Sequence, residues 1–236
     1  MTIDDRLPAD MPPGFPQAVV FDLDGLMIDS EQLDWKGAKA VAARRGFDLD
    51  DEFLLRTIGR RGADIQPEFD GRFAQHLDYG TFTVEVRQWR RAYVLAHGMA
   101  YKHGLAELLD HLDRTGTPRA VATSTVRHEA LASMGALSDR LHAAAFGDEV
   151  ENGKPAPDIY LLAARRLGIA PERCLALEDS LAGVAAAERA GLTVIMVPDL
   201  IPANASVRYV CSSLMRVRDW LLEAAAARAA HGSLDW

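Results

Sequence analysis

Cysteine is scarce. Two residues, Cys174 and Cys211, stand far apart in the 236-residue chain, too few for a disulfide framework and without the close spacing of a metal knuckle. Cys174 lies in an apolar run and reads as a small buried hydrophobe, which fits a reducing, cytoplasmic setting. The seven histidines are scattered without metal-ligand spacing. No apolar stretch approaches the length that spans a bilayer. Neither a Walker-type glycine loop nor a Gly-x-Ser-x-Gly elbow is present, so nucleotide-driven and serine-hydrolase chemistries lose ground. Positive charge is also in deficit, with 26 Lys and Arg against 34 Asp and Glu for a net −8. That balance disfavours nucleic acid and anionic membranes as partners. An anionic substrate must then be drawn in by a local positive site. Residues 1–16 hold Asp4, Asp5, Asp10 and four prolines without an apolar core segment, and read as a loose N-terminal tail, not a signal peptide. Nothing suggests a coiled coil or a large exposed apolar face, so a monomer is expected.

What is present is ample core material, 49% hydrophobic against 25% charged residues, organised around the stretch AVVFDLDGLMIDS at Ala18–Ser30. Ala18 to Phe21 form a continuous apolar run, the pattern of a strand buried on both faces of a parallel sheet. Asp22 and Asp24 follow two apart, so in extended chain both face one space while Leu23 turns to the core. Gly25 lets the chain turn sharply. Two carboxylates held at a strand end call for a cation or a shared proton, and Mg²⁺ is the cation that takes one or two carboxylates plus phosphate and water. The plainer reading is a pair of loop acids facing solvent.

Further along, apolar runs alternate with helical patterns. Helices are expected from Glu31 to Arg45, from Asp50 to about Gly59, from Ala63 to His76 despite Pro67 and Gly71, and from a cap at Thr83 onward. From Asp34 to Gly98 no convincing strand occurs. Then follow a helix through Leu105, Leu108, Leu109 and Leu112, a strand RAVATST, a short strand at Ala143–Phe146, a helix after Pro155 and Pro157, a strand Cys174–Leu177, a helix ending at Gly191, and a strand Thr193–Val197. Tyr209–Cys211 is expected as one more strand and a last helix starts near Ser213. This alternation predicts an α/β fold, a Rossmann-like doubly wound parallel sheet with an inserted all-helical block. In such sheets ligands bind beyond the carboxyl ends of the strands. The runs ending at Phe21, Ala122 and Leu177 lead into Asp22 and Asp24, into Thr123 and Ser124, and into Glu178 and Asp179. Lys154 follows the short third strand. Acids, hydroxyls and a lysine at one rim suit Mg²⁺-assisted phosphoryl transfer with a carboxylate nucleophile. Each also has a structural reading: Thr123, Ser124, Asp179 and Ser180 suit helix caps, and Lys154 suits a solvated turn. Arg60 and Arg61 face either substrate or water.

The segments FDLDGLMIDSE, VATST, GKPAPDIY and LEDSLAGVAAAERAGL resemble, in order, the four motifs of the haloacid dehalogenase superfamily. The likeness is to the phosphatase and β-phosphoglucomutase-like branch with a helical cap, and it runs from about Val19 to Pro198. It implies a core at residues 17–33 and 99–236 and a cap at 34–98 that selects substrate. It further implies that Asp22 is the nucleophile that becomes phosphorylated and that Asp24 is the acid and base. Thr123 and Lys154 would hold phosphate oxygens, with Gly25, Ser124 and Arg127 supporting the phosphate site. Mg²⁺ would be bound by Asp22, the carbonyl of Asp24 and Asp179, with Glu178 as an additional or outer ligand. An acid at Asp24 argues against the dehalogenases. Many relatives, the mutases among them, carry histidine where this chain has Asp34. The function implied is a Mg²⁺-dependent phosphatase acting on a small phosphorylated metabolite such as a sugar phosphate. The alternatives are a β-phosphoglucomutase-like phosphohexomutase and a non-catalytic binding protein that has kept the fold.

Overall fold

The computed structural model describes residues 5–8, 12, 14–57 and 62–231. They form two compact units, one of Met1–Ile28 with Tyr101–Trp236 and one of Asp29–Ala100.

The first unit is built on a five-stranded sheet in the order β3-β2-β1-β4-β5, with every pairing parallel. The strands are β1 (Ala18–Phe21), β2 (Arg119–Ala122), β3 (Ala143–Ala145), β4 (Cys174–Glu178) and β5 (Thr193–Met196). Residues of both parities in β1 and β4 are fully buried, which is why these runs read as continuous apolar stretches and not as alternating ones. On one face Val20, Ala120, Ala122 and Ala176 join a core cluster with Ile159, Tyr160 and Ala163 of α7 (Asp158–Leu167) and Val184 and Ala186 of α8 (Leu181–Arg189). The small sheet residues leave room for the Tyr160 ring. The remaining helices of this unit are α5 (Leu105–Thr115), α6 (Arg127–Met134) and α9 (Leu214–His231), and α5 packs on α9. Working outward from β1, the chain goes to β2 and β3 on one side and to β4 and β5 on the other. The crevice between β1 and β4 is therefore the topological switch point, the place where doubly wound sheets bind ligands.

The second unit is helical: α1 (Ser30–Arg44), α2 (Asp51–Thr57), α3 (Gly62–Phe73) and α4 (Tyr79–His97). Its centre is a group of packed rings, Phe47, Phe53, Phe69, Phe73 and Phe82. Gly37 lets α1 approach α4, since a Cβ there would lie 2.8 Å from the Trp89 ring. The unit begins at Asp29 and ends at Ala100, joined by Asp29 N–H to Ala100 O at 3.0 Å. The expected bounds are 34–98; the earlier start follows from α1 beginning already at Ser30.

Three expectations are corrected. Helix α4 starts at Tyr79, capped by Asp78, whose carboxylate accepts from Thr81 N and Oγ1. Thr83 is not the cap; its hydroxyl donates to Gly80 O at 2.8 Å. The nearer Asp outcompetes it, being the stronger acceptor for the helix's first N–H groups. Tyr209–Cys211 is not a sixth strand: Val210 makes isolated bridges to Met196 and Arg6. Residues 5–8 are not loose. Arg6 and Val210 exchange backbone bonds at 2.8 Å, and Trp220 Nε1 donates to Pro8 O at 3.1 Å. A few hydrogen bonds to the core hold a polar segment that has no apolar pattern of its own. The expected helix end at Gly59 lies outside the described residues.

Candidate active site

Asp22 leaves the end of β1 still in register, its N–H donating to Leu177 O of β4 at 3.0 Å. Gly25 turns the chain with φ +81°, and a Cβ there would collide with the Asp179 carboxylate. No other residue allows both the turn and that approach. At the end of β2, Thr123 N donates to Ala145 O at 3.1 Å. The Thr123 hydroxyl accepts from Thr125 N at 3.0 Å and donates to Asp24 at 3.4 Å. A shorter bond to Asp24, 2.7 Å, comes from Thr125 Oγ1. Lys154, its side chain nearly buried, stands in a turn closed by Ala156 N to Gly153 O at 3.0 Å. Its ammonium bonds to Asp22 and, at 2.6 Å, to Glu178 Oε1. It also lies 5.1 Å from the Tyr160 ring centroid, near enough for a cation–π contact.

Glu178 is completely buried. Its Oε1 accepts from Lys154 and from Tyr160 Oη at 2.7 Å. Its Oε2 accepts from Asp179 N and Ser180 N, both at 3.1 Å, and from Ser180 Oγ at 3.0 Å. Ser180 in turn caps α8 by accepting from Gly183 N. A Cβ at Gly183 would strike the Glu178 carboxylate.

The electrostatics follow from burial. Asp22 is pushed up to about 8, chiefly by desolvation; Lys154 opposes the rise while Glu178 and Asp24 add to it. For Lys154, burial alone would favour the neutral amine, but the Asp22 and Glu178 carboxylates hold it protonated. Burial likewise raises Glu178, yet Lys154 and the surrounding donors keep it below the ordinary carboxylate range. Tyr160 is raised well above its usual value by burial and by Glu178. One ammonium thus faces several buried acids, which leaves a local excess of negative charge.

A divalent cation fits this excess. Carboxylate oxygens of Asp22, Glu178 and Asp179 lie within 4.8 Å of one another, an all-oxygen set suited to Mg²⁺ rather than to softer metals. The acceptor positions of Glu178 are filled by its five protein donors. These bonds also orient Lys154 and the Asp179 backbone.

Other sequence candidates are placed differently. Ser124 is exposed, and its carbonyl lies against Gly147, where a Cβ would clash. The Arg127 guanidinium is half exposed, paired with Glu149 and stacked 4.6 Å from the Phe146 ring centroid. Its partners are therefore structural ones instead of the rim acids. In the helical unit, Arg56 bonds Glu52 at 2.6 Å and Glu68 at 3.1 Å, and Trp35 and Trp89 pack on the aromatic core. Asp34 pairs with Arg90 at 3.0 Å. Arg60 and Arg61 lie outside the described residues. Sequence reasoning missed Tyr160, Thr125 and Ser180 as members of the site. The signal for Tyr160 was its position on the inner face of the helix that follows Lys154.

Glu149 illustrates a structural acid next to the site loop. Hydrogen bonds from Arg166 and, less strongly, Arg127 hold it at about 2 against an ordinary 4.5. Because the folded value is the lower one, its stabilisation is present above about pH 4.5 and is lost as pH falls toward 2. With both arginines partly exposed, about 1–2 kcal/mol is expected after screening. Melting temperatures of the wild type and Glu149→Gln should therefore differ at neutral pH and converge in acid.

A doubly wound parallel sheet gathers carboxylates, a buried lysine and threonine hydroxyls at its switch point, an acid-lined rim that could hold a cation. The profile of the haloacid dehalogenase-like hydrolases matches residues 16–191, and the chain belongs to that family. CbbY of Rhodobacter capsulatus is 33% identical over 199 residues, which span 77% of this chain and 85% of that protein. The phosphorylated carbohydrates phosphatase of Thermotoga maritima is 32% identical over 178 residues, 75% of this chain and 82% of that one. A crystal structure of a HAD family hydrolase from Deinococcus radiodurans R1, with bound phosphate and sodium, superposes with a TM-score of 0.75 at 30% identity. That match covers 89% of this chain and 96% of the other. Among the described residues no helix is long and apolar enough to cross a membrane.

Proposed function

We propose that the protein is a Mg²⁺-dependent phosphatase that hydrolyses a small phosphomonoester, of the sugar-phosphate class, through an aspartyl-phosphate on Asp22. The observation that carries this reading is the buried Lys154 ammonium held between Asp22 and Glu178. A fixed cation beside a strand-end carboxylate is what a trianionic phosphoryl group in transfer requires. The name of the Thermotoga maritima relative, a phosphatase of phosphorylated carbohydrates, supports the substrate class.

In this reading one Asp22 oxygen attacks phosphorus, the P–O ester bond breaks, and the leaving alkoxide takes a proton from Asp24. Water then attacks phosphorus and gives a proton to Asp24. The Asp22–phosphorus bond breaks, releasing inorganic phosphate and restoring the carboxylate. Thr125 donates to Asp24 and holds its carboxyl toward the rim, a positioning that general acid–base work demands; the longer Thr123 bond to Asp24 gives way when that hydroxyl turns to the phosphoryl group. Lys154 and Thr123 bind the phosphoryl oxygens. Mg²⁺, held by Asp22, Asp179 and the Asp24 carbonyl, would supply charge neutralisation between phosphate and carboxylates. The mutase alternative gains nothing from Asp34, which stands where mutases carry histidine and is committed to Arg90.

The deciding experiment is phosphate release across sugar phosphates, phosphoglycolate, nucleoside monophosphates and cofactor phosphates, with and without EDTA. Release from sugar phosphates that EDTA abolishes and Mg²⁺ restores is expected; EDTA-insensitive release would contradict the proposal.

Tyr160 is expected to act through Lys154 and Glu178. Tyr160→Phe keeps the ring beneath the ammonium and removes the hydroxyl bond to Glu178. One buried hydrogen bond of this kind amounts to about 1–2 kcal/mol. A roughly tenfold lower kcat with little change in KM is expected, read from steady-state kinetics.

A further inference from the structure

Beyond the rim, a cavity of about 220 Å³ opens between α5 and α9. Its walls include Pro16, just before β1, and Thr117, just before β2. It therefore sits at the amino ends of the strands, opposite the acid rim. Phe15, Leu112 and Trp220 give it apolar sides. His111 lines it too, and that residue is 94% buried, with 6% of its surface exposed. No described residue hydrogen-bonds the His111 ring, and its nitrogens are not among the fully buried unpartnered atoms, so they reach open space. Burial and the neighbouring Arg114 and Arg218 hold the ring neutral.

The polar groups of the cavity narrow the ligand. Trp220 Nε1 already donates to Pro8 O, so the indole offers only its face. The Thr115 hydroxyl donates to the His111 and Leu112 carbonyls at 3.1 and 3.2 Å. Thr117 Oγ1, 2.8 Å from Thr115 Oγ1, must then be the donor of that pair, which leaves it lone pairs but no spare proton. The cavity thus presents one neutral imidazole and one hydroxyl acceptor in apolar walls. Such a setting penalises a charged group and suits a single hydroxyl that both gives and takes a hydrogen bond. A dry apolar cavity of about 150 Å³ admits benzene, so this volume takes one six-membered ring with a substituent.

We propose that this cavity is a second ligand site, separate from the rim, for a small uncharged hydroxylated aromatic molecule that hydrogen-bonds His111 and stacks on Trp220. The test titrates the full-length protein with phenol and with benzene, reading the Trp220 indole N–H signal by NMR. Saturable phenol binding that shifts this signal is expected, about tenfold tighter than benzene. Ala225→Phe, at an exposed wall position, should block both probes. His111→Leu should keep benzene binding and erase the preference for phenol. Absence of saturable phenol binding, equal affinity for the two probes in the wild type, or binding unaffected by Ala225→Phe would each overturn the proposal.

Discussion

Asp22→Asn is expected to abolish phosphate release and, in the metal-free protein, to raise the melting temperature. Under the proposed mechanism the loss of activity follows from the loss of the nucleophile, since an amide does not form the acyl phosphate. The gain in stability follows from the electrostatics of the rim. The Asp22 carboxyl is held at about 8 in the fold against an ordinary 3.8. For an acid raised in this way the folded protein binds the extra proton, so stability falls as pH climbs from about 4 to 8. At neutral pH an uncharged side chain of the same shape escapes that penalty, and Lys154 keeps Glu178 as its partner. Each kcal/mol recovered should appear as about 2–4 °C in a chain of this size. The check is calorimetry in EDTA at neutral pH beside a phosphate-release assay. A melting temperature that falls would mean that Lys154 more than offsets the burial of Asp22.

Lys154→Met should lose activity as well but move stability the other way. The ammonium is the cation shared by Asp22 and Glu178, both of them buried. Methionine preserves the length and packing over the Tyr160 ring while leaving the carboxylates uncompensated. Removing one member of a buried ion pair costs about 3–5 kcal/mol. Loss of one preorganised donor to the transferring group lowers kcat by about 10²–10³. Mg²⁺ should recover part of the lost stability, because a divalent ion between Asp22 and Asp179 supplies the missing charge, but should not recover turnover. Denaturation midpoints with and without Mg²⁺ separate the two effects. Two inactive variants that shift stability in opposite directions would place the conflict of charges at Asp22 and its relief at Lys154. Such a conflict is what a site that holds function at a cost in stability displays.

The sheet and its rim were legible because both rest on strong local patterns. Continuous apolar runs ending at Phe21, Ala122 and Leu177, each followed by polar residues, fix strand ends without knowledge of the rest of the chain. The parallel-sheet rule then brings those ends together. What escaped depended on side-chain partners. Glu178 reads in sequence only as a candidate ligand, and its five donors become visible only in the fold. Tyr160 carries no acid–base signal, since its role comes from lying under Lys154 and reaching Glu178 across the core. Arg127 has the right charge in the right place along the chain, yet Glu149 claims it. In the helical unit Asp78 and Thr83 both suit a cap, and the choice between them lay in the turn before Tyr79. The tail failed for a related reason: Arg6 and Pro8 meet Val210 and Trp220 from the other end of the chain, and no local pattern encodes that.

The proposed covalent step on Asp22 is tested most directly by acid-quenching the enzyme during turnover of a sugar phosphate and digesting it for mass spectrometry. The fragment containing Asp22 should carry the added mass of one phosphoryl group, labile to hydroxylamine and absent from Asp22→Asn. Active enzyme whose Asp22 fragment stays unmodified at every quench time, or a phosphoryl group found on another residue, would contradict it.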